Sequence, residues 1–230
     1  MEKRIFILSI GGSQIFKDNR INTGFLNKFK KIILSNTRNK KFIIVCGGGS
    51  VARIYIQGLK EVNASEKLQS FAGISITRAN ARFMSYFFGF DSEDGIAHTM
   101  RDVESMVKKQ DIVFCGALEY HPHQTSDSTS AQIAGHFNSD FINITNVSGL
   151  YTANPLTNKN AKFIPYITWR KFHEIALKIP FKPGQHFVLD QKASKIIMDK
   201  KIKTYILGSN LRNLDNLLKN KKFSGTIIFG

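Results

Sequence analysis

Six short apolar runs punctuate the chain, at 4–10 (RIFILSI), 41–46 (KFIIVC), 111–115 (DIVFC), 139–145 (SDFINIT), 203–207 (KTYIL) and 225–229 (GTIIF). Each is continuous where a half-buried strand would alternate, the pattern of a strand covered on both faces. Between the runs lie stretches with helical spacing, near 23–35, 51–61, 66–89, 101–109, 127–137, 168–178, 190–200 and 211–219. Parallel strands need crossover connections of this kind. The order predicts a three-layer α/β domain. Residues 116–126 and 150–163 read as long functional loops. With no repeat, low-complexity tract or linker dividing it, the chain reads as one domain over 1–230.

Composition changes this picture little. The 230 residues are 42% hydrophobic, enough for one large core. Lys and Arg number 33 against 17 Asp and Glu, a formal net charge of +16 that attracts polyanions. Equally, the lysine is spread along the chain rather than gathered in a tail, as general composition would spread it. Cys46 and Cys115 each close an apolar run and fit no paired zinc or redox spacing, so both are expected reduced and inside, as in the cytosol. The apolar stretch from Ile5 to Ile10 is too short for a signal-peptide core, and no segment is long enough to span a membrane.

Candidate chemistry gathers where strands end. The run 4–10 leads into Gly11-Gly12-Ser13, and 41–46 into Gly47-Gly48-Gly49-Ser50 and a helical pattern. Glycine lets backbone approach a phosphate closely, and a helix N-terminus offers free N–H groups and a favourable dipole. Either turn alone is also what an ordinary tight turn looks like, and neither matches the P-loop or the dinucleotide fingerprint. Arg53, four residues past Gly49, can fold back toward an anion held there. Arg78 and Arg82 are spaced four apart on one helical face, for the site or for solvent and subunit contacts. In the loop from Leu118 to Asp127, three helix-capping residues stand in a row, Thr125, Ser126 and Asp127. One cap needs only one of them, so a carboxylate is left to orient Mg²⁺, a lysine or an acceptor phosphate. His121 and His123 lack the cysteines of a zinc pattern and read as loop surface; no metal-binding residues are assigned. The run 139–145 ends in a polar, aromatic-bearing turn through Tyr151 and Asn154-Pro155, fit for a purine and its ribose or for a plain turn.

The blocks LSIGGS (8–13), GGGSVAR (47–53), GISITRANA (73–81), QTSD (124–127), TNVSGLYTANP (145–155), LDQKASKII (189–197) and SGTII (224–228), in this order, resemble the amino acid kinase superfamily and within it the archaeal-type UMP kinases. The resemblance covers essentially the whole chain. It implies an αβα sandwich with a mainly parallel central sheet, a cytoplasmic enzyme of pyrimidine nucleotide biosynthesis that moves the γ-phosphoryl of ATP to UMP, a Mg²⁺-bound nucleotide, and a homohexamer assembled as a trimer of dimers. By the same resemblance, Ser9, Gly11, Gly12, Ser13, Gly49 and Arg53 would hold the ATP phosphates. Thr145, Tyr151 and Asn154 would meet the adenosine end. Gly48, Ser70, Leu118, Pro122, Gln124, Thr125 and Ser126 would hold UMP.

Four positions depart from the family pattern. Ser9 stands where many relatives carry a phosphate-binding lysine, Ser70 where they carry an aspartate reaching the ribose, and Ser148 and Asn154 replace aspartates of the adenosine turn. The 118–126 loop is about two residues longer than in relatives. Asp127 and Arg53 are the expected catalytic residues, Asp127 organising cationic groups, with Lys192 or Lys195 as a source of the charge that Ser9 lacks. The alternative is the same fold kept as a catalytically impaired anion-binding or storage protein. An RNA-binding protein is disfavoured, because the basic residues are not interleaved with aromatics and form no arm.

Overall fold

The computed structural model describes residues 3–90, 95–122, 124–155, 157–178 and 189–230; His123, read above as loop surface, and position 156 in the 150–163 loop lie outside them. All six expected strands form: β1 (Arg4–Ile10), β4 (Lys40–Cys46), β5 (Ile112–Cys115), β6 (Asp140–Ile144), β10 (Thr204–Leu207) and β11 (Thr226–Ile228). They share one seven-stranded sheet in the order β5-β4-β1-β6-β10-β11-β9, where β9 is the two-residue strand Tyr166–Ile167. The sheet is parallel from β5 to β10; β11 runs antiparallel to β10 and parallel to β9. Two hairpins were not legible as strands. These are β2 (Phe16–Lys17) with β3 (Arg20–Ile21), turning through Asp18 and Asn19 at positive φ, and β7 (Leu150–Tyr151) with β8 (Phe163–Ile164). Strands of two residues carry too little periodicity to register.

The eight expected helices also form: α2 (Thr23–Asn36), α3 (Gly49–Glu61), α4 (Glu66–Phe88), α5 (Met100–Lys109), α6 (Ser126–His136), α7 (Trp169–Leu177), α8 (Gln191–Asp199) and α9 (Leu211–Leu218). A further single turn, α1 (Gly12–Ile15), follows β1. Local chemistry sets the ends. Ser65 caps α4, and Gly89 at φ +85° stops it. The side chains of Thr99 and Asp102 form a reciprocal cap at the start of α5.

Two apolar clusters sandwich the sheet, and the strands supply them alternately. Phe6, Leu8 and Ile10 of β1 join Phe29 of α2, Met84 of α4 and Leu214 of α9 on one side. Ile7 joins Val103, Ile133, Phe172 and Ile197 from α5 to α8 on the other. That alternation fixes where polar residues go. Ser9 and Asn143 are register partners on adjacent strands and fall on the second face, the one covered by α6 and α8. They are the last positions of that face before the strands end, and there the apolar packing gives way to the site.

Candidate active site

A cavity of ≈ 340 Å³ opens over the C-terminal ends of β1, β4 and β6, where ligands of parallel α/β sheets bind. Its floor is made by the two glycine turns, which lie backbone on backbone. A Cβ on Gly12 would stand 2.2 Å from the Gly49 nitrogen, and one on Gly49 would stand 2.7 Å from the Gly12 carbonyl carbon. Gly49 also has φ +64°, which disfavours any side chain. The turns are tied to the sheet by Gly47 N–H donating to the Ile10 carbonyl (2.9 Å) and Gly11 N–H to the Ile144 carbonyl (3.1 Å). Asn80 of α4 donates to the Gly47 carbonyl at 2.8 Å. The floor therefore presents the start of the 13-residue α3, with its free N–H groups and positive dipole end, to the cavity. Arg53, one turn further along α3, is in the wall.

The opposite wall comes from the 118–126 loop and α6. Thr125 caps α6, accepting from the Asp127 N–H at 3.1 Å. Asp127 lines the cavity and keeps some solvent contact through its mouth, although protein surrounds the carboxylate on its other sides. Burial, reinforced by the negative charge of Asp190, raises its pKa to about 7; a hydrogen bond from Ser9 Oγ to Oδ1, 2.9 Å, opposes the shift.

Asp190, absent from the sequence reading as a site residue, is the hub of this wall. It is 3% exposed and caps α8, taking the Ala193 N–H at 2.8 Å, the Ser128 hydroxyl at 2.8 Å and the Thr125 hydroxyl. One carboxylate thus joins the starts of α6 and α8. The sequence showed it only as a member of the LDQKASKII block. Asn143, at the end of β6, and Tyr120 also line the cavity without having been singled out.

Most expected site residues meet here. Gly11, Gly12, Ser13, Gly48, Gly49 and Arg53 line the floor side. Ser70 of α4, Pro122, Gln124, Thr125, Ser126 and Asp127 line the opposite side, and Thr145 lies beyond β6.

Several of the expected residues lie off the cavity wall. Ser9 is 1% exposed and stands behind the wall, reaching the cavity only through Asp127. Leu118 is buried in the core below the loop, with its carbonyl accepting from Arg78. Tyr151 packs edge-on against Phe163 in the β7–β8 hairpin, and Asn154 lies in the turn that follows; neither is in the cavity wall. Arg78 is spent on the backbone, donating to the Ala117 carbonyl at 3.1 Å as well, and Arg82 does not line the cavity. Lys195 pairs outward with Asp199 at 3.0 Å, whereas Lys192 points toward the 118–126 loop, 3.4 Å from the Pro122 carbonyl and 3.5 Å from Gln124 Oε1. Asp127 organises no cation through a hydrogen bond or ion pair among the described residues; its side-chain partner is Ser9. Cys46 and Cys115 are free and buried, on opposite faces of the sheet, and burial raises both thiol pKa values, that of Cys115 to about 12.

Comparison with known proteins matches this geometry. The uridylate kinase of Thermococcus kodakarensis is 32% identical over 224 residues, covering 96% of this chain and 98% of its own. The crystal structure of uridylate kinase from Archaeoglobus fulgidus superposes with a TM-score of 0.82 at 31% identity, covering 97% of this chain and 99% of that one. The UMP kinase of Ureaplasma parvum shares the fold, with a TM-score of 0.80 at 20% identity. Residues 4–208 match the profile of the amino acid kinase family, and the chain belongs to that family.

Proposed function

We propose that this protein is a uridylate kinase that transfers the γ-phosphoryl of ATP to UMP, giving UDP and ADP. The observation that carries the reading is the glycine-on-glycine floor between two walls, in a chain alike over nearly its full length to proteins of that name. The floor and Arg53 take the polyphosphate. ATP lies toward the end of β6, at Thr145, and UMP toward α4 and the acceptor segment, at Ser70 and Gln124. A phosphate oxygen of UMP attacks the γ-phosphorus in line while N–H groups and the guanidinium neutralise the charge spread over the moving phosphoryl. Catalysis is by positioning and electrostatics, without a covalent enzyme intermediate.

Magnesium arrives as part of the nucleotide substrate. Among the described residues no group of three or more His, Cys, Asp or Glu is placed to hold a metal, and Asp190 spends its oxygens on hydroxyls and a cap. Phosphate oxygens and water suit Mg²⁺ better than such a wall does. Self-association, which the hexamer implied by the resemblance requires, is supported by Ile54 and Tyr55 of α3 and by Leu68 and Tyr86 of α4, each more than half exposed. No described helix is long and apolar enough to cross a membrane.

Coupled ADP release with Mg·ATP, comparing UMP, CMP, dUMP, AMP and isopentenyl phosphate at equal concentration, tests the proposal. Preferential turnover of UMP is the expected result. Folded protein that binds ATP yet turns over none of these acceptors would sink it.

A further inference from the structure

The acceptor side of the cavity contains an aromatic ring for which the phosphate chemistry above has no use. Tyr120 lines the cavity from the 118–126 loop. Its ring is fixed by an edge-on contact with Phe71 of α4, with centroids 5.2 Å apart and planes at 61°. The Lys67 ammonium, 6.0 Å from the Tyr120 centroid and 5.8 Å from that of Phe71, covers the pair from one side. An edge-on contact immobilises a ring while leaving face area for another planar group.

The surroundings favour a flat ligand. Where α4 lines the cavity, the small residues Ser70, Gly73 and Thr77 alternate with Gln69 and Ile74, and Ile56 of α3 packs against Gly73, so the slot between helix and loop has apolar walls with polar groups at its edge. Thr77 abuts the floor at Gly48, where a Cβ would lie 3.5 Å from its Cγ2. Phe71 lies six residues earlier on the same helix, hence about 9 Å from the floor along its axis. That separation is comparable to the span from phosphate to base in a nucleoside monophosphate.

We propose that Tyr120 is the platform on which the acceptor's nucleobase stacks, a specificity-determining residue that selects for a planar heterocycle without reading its exocyclic groups. The inference rests on the uridylate kinase reading. Stacking is sequence-tolerant because every base has a π-face. Tyr120 therefore supplies affinity for any pyrimidine nucleotide, and discrimination among them falls to the polar groups of the same wall.

Steady-state kinetics of Tyr120→Phe, Tyr120→Leu and Tyr120→Ala, with circular dichroism to confirm folding, test this. The Phe variant keeps the face and should match the wild type. The Leu and Ala variants should raise KM for UMP roughly tenfold or more, leaving kcat and KM for ATP within about twofold. A Leu variant that behaves like the wild type would overturn the proposal, since apolar packing against Phe71 would then suffice; so would an unchanged KM for UMP in the Ala variant. Wild-type protein without UMP turnover would overturn the functional reading instead, and UMP binding by calorimetry across the same variants would then decide the role of Tyr120.

Discussion

The floor of the cavity is backbone packed on backbone: Gly12 and Gly49 approach so closely that neither can carry a side chain, and their N–H groups are aimed by the sheet and by α3. The segment from 117 to 128 is held instead by side chains that reach it from elsewhere. Arg78 grips the Ala117 and Leu118 carbonyls, Thr77 takes the Ala117 N–H at 3.0 Å, Asp190 takes the Thr125 and Ser128 hydroxyls, and Lys192 reaches Pro122 and Gln124. A floor built by exclusion tolerates no substitution and has one shape. A wall built by tethers loses its shape one tether at a time. On the proposed reading the floor takes the donor polyphosphate and the tethered wall takes the acceptor.

Gly49→Ala breaks the comparison most sharply. Its Cβ would force the two turns apart, and a displacement near 1 Å costs about 100-fold in rate. We expect kcat down by at least about 100-fold together with weakened ATP binding, read by kinetics and by nucleotide titration.

Asp127→Asn is next, on the order of 100-fold in kcat, as when a preorganised electrostatic group is lost. With the ionised carboxylate as the expected working form, kcat should fall as pH drops below about 7. Its stability effect runs the other way. The folded state retains the Asp127 proton to higher pH than the unfolded chain, so its contribution to stability declines as pH rises from about 4 to about 7. The Asn variant should consequently unfold at higher urea at pH 8, by on the order of 1 kcal/mol, while being nearly inactive. Equal stability of the two proteins at pH 8 would show that Asp127 is not strained in the wild type.

Asp190→Ala cuts one tether. It removes the α8 cap and leaves two hydroxyls without an acceptor, a loss of about 3 kcal/mol in chemical denaturation. KM for UMP should rise about tenfold, with KM for ATP little changed. Asp190→Asn sharpens the point, because removing its charge lowers the Asp127 pKa and should move the acid limb of the kcat profile to lower pH. The smallest effect is expected from Arg78→Lys. An ammonium cannot serve both carbonyls as a guanidinium does, and KM for UMP should rise about threefold with no change for ATP.

The same contrast decides what could be read from the sequence. The floor was legible because its requirement is local: glycines at a strand end followed by a helical pattern allow few structures, and the apolar runs located β1 and β4 to within a residue. The tethers were not, because their partners are brought together by the fold. Asp190 is only one member of a longer block until α8 is seen packed on α6, 62 residues from Ser128 in sequence. Arg78 and Arg82 look alike at a spacing of four, and only the position of the 116–118 backbone tells that Arg78 is taken. Ser9 and Asn143 did carry a signal, as polar residues at the ends of otherwise apolar strands, and alternation along β1 and β6 explains why both face α6. Tyr151 was drawn toward the nucleotide by its place in a motif, yet its ring finds Phe163 in a hairpin too short to be recognised.

The position of β11 bears on how the molecule is made. It lies between β10 and β9, so Tyr166–Ile167 cannot join the sheet until residues about sixty positions later are available. Thr226 stitches the same region from the other side, taking the Leu150 N–H at 2.7 Å and donating to the Ile164 carbonyl at 2.6 Å. The strands β1, β4, β5 and β6 and both glycine turns precede β11 by more than eighty residues, whereas the hairpin beyond β6 depends on that distant strand. Such distant pairings are slow to close. The β9 edge of the sheet is thus the part whose closure depends on the most distant contacts, while the phosphate cradle rests on nearer ones.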